Sequence, residues 1–317
     1  MRRPPSSAVN ILGLPRISTF ADLASQAELS HRQLWWLLFA GPAAYAIFRV
    51  PKKAGGYRPI ADPNPALKSA QRWILRNILD RLHPSSSCHG FSRGSNLRSH
   101  ADCHAGARAI LAMDIENFFP SISIAQVTAV FRASGYNARI ASMLSRLCTC
   151  AGALPQGAPS SPKLANLVCY RMDRRLEEFA ARRGVMYTRY ADDLSFSADT
   201  SVVLARARPF IAHIVRDCGF RLNSRKTRLV GPRRALVVTG LIVGPDRVGV
   251  GRRRLRELRA RIHRAHREAG DKDIGELQGW LDYVSDVDPD RYGMLVRNIE
   301  SLRATSAVSG LARVRVR

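Results

Sequence analysis

Apolar and polar positions change their period several times along this chain, and each change predicts an element. From Ile17 to Phe39 the apolar residues recur at helical spacing, with Leu34, Leu37 and Leu38 in one stripe, a start signal at Ser18-Thr19 and a break over residues 27–30. The adjacent Trp35 and Trp36 are expected to anchor a core, because large rings carry much apolar area. "FRVPKKAGGYRPIADP" then switches to short β-prone runs on either side of Gly55-Gly56, the pattern of a hairpin. "NPALKSAQRWILRNILDRL" returns to helical spacing, with Leu67, Trp73, Ile74, Ile78 and Leu82 on or near one face.

Farther on, Ala109 to Met113 is a short apolar run that predicts a buried strand ending on Asp114. A helix starts near Ser123 and carries Val127, Val130 and Phe131. "ALPQGAPSSP" holds too many breakers to be core structure and leads into another helix. In "YTRYADDLSFS", apolar or aromatic residues alternate with polar ones on both sides of Asp192-Asp193, which predicts two strands joined at that pair. A helix near Val202 to Cys218, short strands over "FRLNSRKTRLVGPRRALVVTGLIV" and a mostly helical stretch from Gly251 complete the pattern. Strand, helix, hairpin, helix and strand in this order indicate an α+β sheet domain with insertions.

Charge adds a partner to this picture. The 317 residues hold 50 Lys plus Arg against 25 Asp plus Glu, a formal net charge of +25, which points to a polyanion such as nucleic acid. In "GRRRLRELRARIHRAH", Leu255, Leu258, Ile262 and Ala265 share a helical face, leaving Arg252, Arg253, Arg256, Arg259 and Arg267 over the remaining surface to meet phosphates. No apolar run is long enough to span a bilayer and the N-terminus lacks the apolar segment of a signal peptide, so no membrane and a cytoplasmic setting are expected. Six cysteines are too sparse for a disulfide framework in a chain of this size. Cys88, His89, His100, Cys103 and His104 come together in sequence, but at a spacing that matches no standard zinc module.

The acidic residues carry the chemistry. An aspartate ending a buried strand needs a counter-charge, and no basic neighbour in the sequence is an obvious partner for Asp114. Paired aspartates in a hairpin turn are by themselves ordinary turn chemistry. Asp114, the Pro-Gln-Gly loop, the Asp192-Asp193 hairpin and a later Lys-Thr segment in this order are another matter. Hard oxygen ligands gathered on a sheet suit Mg²⁺, and two such ions about 3.5 to 4 Å apart could activate a hydroxyl and steady a leaving pyrophosphate.

In these motifs the chain resembles the reverse transcriptases, and among them the bacterial retron enzymes. "MDIENFFPSI" and "YTRYADDLSFS" resemble the two catalytic motifs, "LPQGAPSSPKLAN" the nucleotide-side loop and helix, and "LNSRKT" and "VTGLIV" the two that follow, over about residues 13–289. Val238-Thr239-Gly240 resembles a retron signature, as does "HADCH", where Ala101 and His104 fit but His100 replaces the usual asparagine.

The resemblance implies a right-hand polymerase fold, with an N-terminal extension and fingers over 1–105, palm over 106–121 and 161–240, a second fingers part over 122–160 and a basic helical thumb over 241–317. It implies a two-ion Mg²⁺ site, with Mn²⁺ as substitute, on Asp114, Asp192, Asp193 and the Ile115 carbonyl. Phe119 corresponds to the steric gate against ribonucleotides, and Gln156 and Gly157 to the loop on the incoming nucleotide. Lys52 or Lys53, with Arg58, corresponds to the triphosphate grip, and Lys226 to the lysine near the leaving pyrophosphate. Arg58 is favoured because Gly55-Gly56 blurs the lysine register. His104, Thr239 and the thumb arginines are candidates for RNA or DNA contact. The implied partners are dNTPs, a cognate structured noncoding RNA, its RNA–DNA hybrid product (msDNA) and an effector protein in defence against bacteriophage. The competing readings are a group II intron or diversity-generating reverse transcriptase, and an idle RNA-binding scaffold.

Overall fold

Local capping starts most of the early helices. Thr19 and Ser30 form capping boxes at the head of α1 (Phe20–Gln26) and α2 (His31–Ala40). The computed structural model describes residues 13–52, 55–92, 94–245, 247–267, 274–305 and 314–316. After α2, strands β1 (Tyr45–Pro51) and β2 (Tyr57–Pro63) pair antiparallel, with Pro51 opposite Tyr57 across the predicted glycine turn. Asn64 caps α3 (Pro65–Asn77), whose first residue is a proline with no N–H to lose. The predicted run to Leu82 is interrupted, because the helix gives way to a 3₁₀ turn at Leu79–Arg81.

The central sheet follows. After α4 (Leu97–Asp102) come β3 (Ala109–Asp114), α5 (Phe118–Ser121), α6 (Ile124–Ala133), α7 (Ala138–Cys148), α8 (Ser161–Val168) and α9 (Tyr170–Ala181). Then β4 (Met186–Tyr190) and β5 (Asp193–Ala198) form the predicted hairpin, followed by α10 (Ser201–Asp217) and β6 (Arg228–Val230). The order β4-β5-β3-β6 is antiparallel throughout, with the Asp-ended strand in the middle. Helices α9 and α10 pack on this sheet, and α4 and the later strand Leu236–Val238 lie against it as well, so that Leu111 enters one core and its neighbour Ile110 another. Cover on both faces is why β3 and β5 are buried nearly end to end instead of alternating. A three-stranded sheet, β7 (Leu236–Val238), β8 (Leu241–Val243) and β9 (Val248–Gly249), leads into α11 (Arg252–Arg267), α12 (Ile274–Val287) and α13 (Pro289–Thr305).

Two apolar cores result. The larger runs from Leu14 to Phe220 and joins α1–α3 and α5–α10 to the central sheet. The smaller gathers β7–β9 and α11–α13 around Leu258, Ile262, Leu281 and Val284, and reaches the first through Ala101 and Ile110.

The tryptophan expectation is overturned. Trp35 is 62% exposed and Trp36 48%, because α2 buries Leu34, Leu37 and Leu38, the i, i+3, i+4 set, and turns positions 35, 36 and 39 outward. Trp35 packs instead on Phe39, ring centroids 4.6 Å apart.

Candidate active site

The three aspartates meet at one edge of the central sheet. Register sets Asp114 directly opposite Asp193, and the Ile115 N–H donates to the Asp192 carbonyl at 2.9 Å, tying the strand end to the hairpin turn. The next bonds continue this seam, with Asn223 N–H on the Asp114 carbonyl at 2.8 Å and Glu116 N–H on the Arg221 carbonyl at 2.8 Å. Burial raises the pKa of Asp192, and the Asp114 charge adds to it. Asp193 is exposed at the surface, yet desolvation of its carboxyl in the crowded turn, then the Asp192 and Asp114 charges, push it up to about 6. Three crowded carboxylates of one sign, all acceptors, are a charge deficit that a cation would relieve.

Lys226 supplies part of that charge. Its Nζ lies 2.6 Å from Asp114 Oδ2, so Asp114 does have a basic partner, contrary to the sequence expectation. The two are 112 positions apart and meet only because β6 pairs with β3. The lysine stays 57% exposed while the aspartate side chain is 7% exposed, which leaves the ammonium reachable from solvent. Among the described residues no three His, Cys, Asp or Glu side chains stand close enough to enclose a metal ion unaided. That does not disqualify the carboxylates, because Mg²⁺ is ordinarily held by one or two of them plus substrate phosphates.

The turn is held from beneath by a device the sequence reading missed. Arg189 is wholly buried and pairs with wholly buried Asp173 through Nε to Oδ1 at 2.8 Å and Nη2 to Oδ2 at 2.7 Å. Its Nη1 donates to Asn166 Oδ1 and to the Ala191 carbonyl, both at 3.1 Å, and so grips the residue before Asp192. The Tyr187 hydroxyl donates to Asp173 at 2.8 Å; burial, then the Asp173 charge, push its pKa well above the ordinary value. Ala191 sits at φ 56°, a left-handed conformation that an alanine adopts only when its surroundings impose it. Gly90 presses on it from the other side, where an added Cβ would stand 2.5 Å from the Ala191 nitrogen. An alternating strand pattern predicts an inward side chain at 189 but not that the inward group is charged.

The nucleotide-side residues divide between the β1–β2 hairpin, the loop that meets β2 and the short helix α5 after β3. Arg58 is exposed on β2, and its charge acts on Asp192, lowering the pKa that burial raises. Lys52 is exposed beside the hairpin turn, where its N–H meets the Gly56 carbonyl at 2.9 Å; Lys53 lies outside the described residues. The Gln156 carbonyl accepts the Ala61 N–H at 2.8 Å, and a Cβ on Gly157, at φ 124°, would stand 2.9 Å from the Ala61 carbonyl. The loop is thus stitched to the arginine-bearing strand, and glycine is required there twice over. Phe118 is buried, and Phe119 is half-buried and packed against the larger core. Exposed Phe91, absent from the sequence candidates, flanks Phe119 at 6.3 Å and Tyr190 at 6.5 Å.

The remaining candidates divide. His104 is 1% exposed, with Nδ1 2.7 Å from the Ser197 hydroxyl and Nε2 2.6 Å from that of Thr188. It braces β4 against β5 and has no surface to offer RNA, which removes it from the contact set. Thr239 and Gly240 form the two-residue β7–β8 turn with φ 45° and 87°, the left-handed pair that a tight hairpin demands. The Thr239 hydroxyl lies 3.3 Å from His100 Nδ1. On α11 the four predicted apolar residues are buried, and Arg252, Arg253, Arg256, Arg259 and Arg267 are all exposed. No helix among the described residues is long and apolar enough to cross a membrane.

Known proteins match most of the chain. The family model for reverse transcriptase (RNA-dependent DNA polymerase) matches residues 50–243, which hold every carboxylate and nucleotide-side residue above. The Retron Ec86 reverse transcriptase of Escherichia coli is 40% identical over 92% of this chain and 91% of its own length. The Retron Mx65 reverse transcriptase of Myxococcus xanthus is 37% identical over 93% and 74%. Among solved structures, a telomerase from Candida albicans in complex with a fragment of telomeric RNA superposes with a TM-score of 0.51 at 13% identity, over 82% of this chain and 56% of that one.

Proposed function

Because the chain belongs to the reverse transcriptases, and among them to the bacterial retron enzymes, we propose that its RNA-directed DNA polymerase activity runs at Asp114, Asp192 and Asp193. The observation that carries this reading is the seam joining the end of β3 to the Asp192-Asp193 turn. It brings two distant acidic segments to one point on a rigid right-hand fold. The family generally uses divalent metal ions, and the crowded carboxylates with raised pKa values fit such a cation. Asp114 and Asp192 would hold two Mg²⁺ ions, with Asp193 and the Ile115 carbonyl completing the oxygen set. Bound there, the metals supply Lewis-acid activation of the attacking hydroxyl and neutralise the departing pyrophosphate.

The chain's own groups do the rest. Arg58 and Lys52 grip the triphosphate, and Lys226, on the rim beside Asp114, offers charge to the pyrophosphate as it leaves. Gln156 and the bare backbone at Gly157 line the sugar side, and the Phe119 ring excludes a 2′-hydroxyl. The arginines of α11 and the Thr239 turn follow template and product, each phosphate contact steepening the salt dependence of binding. In this reading fingers span 1–105 and 122–160, palm 106–121 and 161–240, and thumb 241–317, with β7 pairing to β8 across the last boundary.

The template is part of a cognate structured noncoding RNA. Synthesis starts from the 2′-hydroxyl of a guanosine in that RNA and leaves a 2′–5′ branched RNA–DNA hybrid. The enzyme works in the cytoplasm with an effector protein against bacteriophage. Nucleic acid copurified with the full chain tests this: treatment with RNase, DNase and a debranching enzyme should reveal a small, branched, multicopy RNA–DNA species. Finding only linear nucleic acid would overturn the retron-specific part.

A further inference from the structure

A cavity of about 590 Å³ opens between the β7–β8 turn and the thumb helices, lined by Thr239, Gly240, Gly251, Arg254, Trp280 and Tyr283. The size falls in the range of about 300 to 1,000 Å³ typical of sites for single small groups. Its aromatic wall is fixed. The Arg254 guanidinium lies 4.1 Å from the Trp280 ring centroid, Tyr283 meets Trp280 edge-on at 5.6 Å, and the indole N–H points to Glu276 Oε1 at 3.4 Å. Trp280 and Tyr283 are only half-buried, so part of each ring stays exposed beside the guanidinium that covers one face of the indole. Gly240 and Gly279 have no atom within 4 Å of where a Cβ would stand.

A second cavity, of about 400 Å³, shares Leu97, Thr239 and Gly240 with the first and reaches Tyr190 and Asp193. The aromatic pocket therefore adjoins the catalytic turn and lies at the start of the arginine-rich face of α11. Paired bases inside a duplex are already stacked on both faces. An unpaired one gains by stacking on an indole or guanidinium plane. From this geometry we infer that the Trp280 pocket captures an unpaired nucleobase of the RNA, next to the paired segment held at the carboxylates. The inference rests on the polymerase reading for its partner and adds a contact to a base, whatever its identity, to what is otherwise a phosphate-binding surface.

Three fluorescein-labelled hairpin RNAs with one stem test it by anisotropy on the full chain: one blunt, one with a four-nucleotide single-stranded 3′ extension, and one with that extension abasic. Stacking of one base corresponds to about 5- to 150-fold in affinity. Trp280→Ala should weaken the base-bearing extension by a factor in that range and shift the blunt and abasic RNAs by less than about twofold. Gly279→Leu fills the pocket from a helix position where leucine is the better helix former, so it should fold and give the same selective loss. Equal loss on all three RNAs, no loss on any, or wild-type binding that ignores the missing bases would each overturn the pocket. Primer extension on a pre-annealed template, measured alongside, reports on the polymerase reading separately.

Discussion

Removing the Asp173 carboxylate tests how the catalytic turn is supported. Asp173→Ala deletes the acceptor of three buried hydrogen bonds, two from Arg189 and one from Tyr187. It leaves the guanidinium without a counter-charge where neither side chain has any exposure. At about 1.5 kcal/mol for each bond to a charged group, the loss is about 4.5 kcal/mol, within the range of about 3–5 kcal/mol for breaking one side of a buried pair. Against a total stability of about 5–15 kcal/mol this is a large fraction. Urea unfolding should show the midpoint falling at unchanged slope. The double variant Asp173→Leu, Arg189→Met should recover part of the stability, since it leaves no buried charge but does leave the Tyr187 hydroxyl, Asn166 Oδ1 and the Ala191 carbonyl without their partners. It should not recover polymerisation, because the Arg189 bond to the Ala191 carbonyl goes with the arginine. A loss below about 1 kcal/mol for Asp173→Ala, or full activity in the double variant, would refute the argument.

Three further outcomes follow from the same structure. Burial holds the His104 pKa down at about 4, from 6.5, with the His89 charge adding to it. The unfolded chain therefore takes up a proton near pH 6.5 that the folded chain refuses until about 4, and about 3 kcal/mol of stability, whole above pH 6.5, is lost as pH falls through that window. Denaturant midpoints at several pH values check this, and His104→Gln should reduce the dependence without abolishing it, because burial, then the neighbouring His104 and His89, hold buried His100 down at about 3. Gly157→Ala places a Cβ against the Ala61 carbonyl at a left-handed φ, at about 1–3 kcal/mol of strain, and should raise the KM for dNTPs by about tenfold; steady-state kinetics would show an unchanged KM if the loop is not seated on β2. Phe119→Val should admit ribonucleotides in single-nucleotide extension, and an unchanged sugar preference would remove that ring from the gate.

The elements were legible where one local signal decided them. Thr19, Ser30, Asn64 and Ser123 cap the helices that their sequence context predicts, and β3 and the Asp192-Asp193 hairpin lie where apolar runs and alternation put them. That Asp114, Asp192 and Asp193 belong together was legible from the order of the motifs that carry them, and an aspartate ending an apolar strand is costly without a partner. What escaped depends on contacts between distant positions. Lys226 reaches Asp114 only through the pairing of β6 with β3, and Asp173 meets Arg189 only when α9 folds back on β4. Trp35 and Trp36 misled because ring size argues for burial while helix phase, fixed by Leu34, Leu37 and Leu38, turns them outward. The buried His104 shows the reverse error, since a motif histidine reads as a contact until its two hydroxyl partners are seen.

The central claim is that Asp114 and Asp192 together carry out nucleotide addition. Incorporation of dNTPs on a primed RNA template, with Mg²⁺ present, should fall by at least about a thousandfold, some 4 kcal/mol of barrier, in Asp192→Asn and equally in Asp114→Asn, with both variants folded and still binding the template. Activity within about tenfold of wild type in either folded variant would contradict the account.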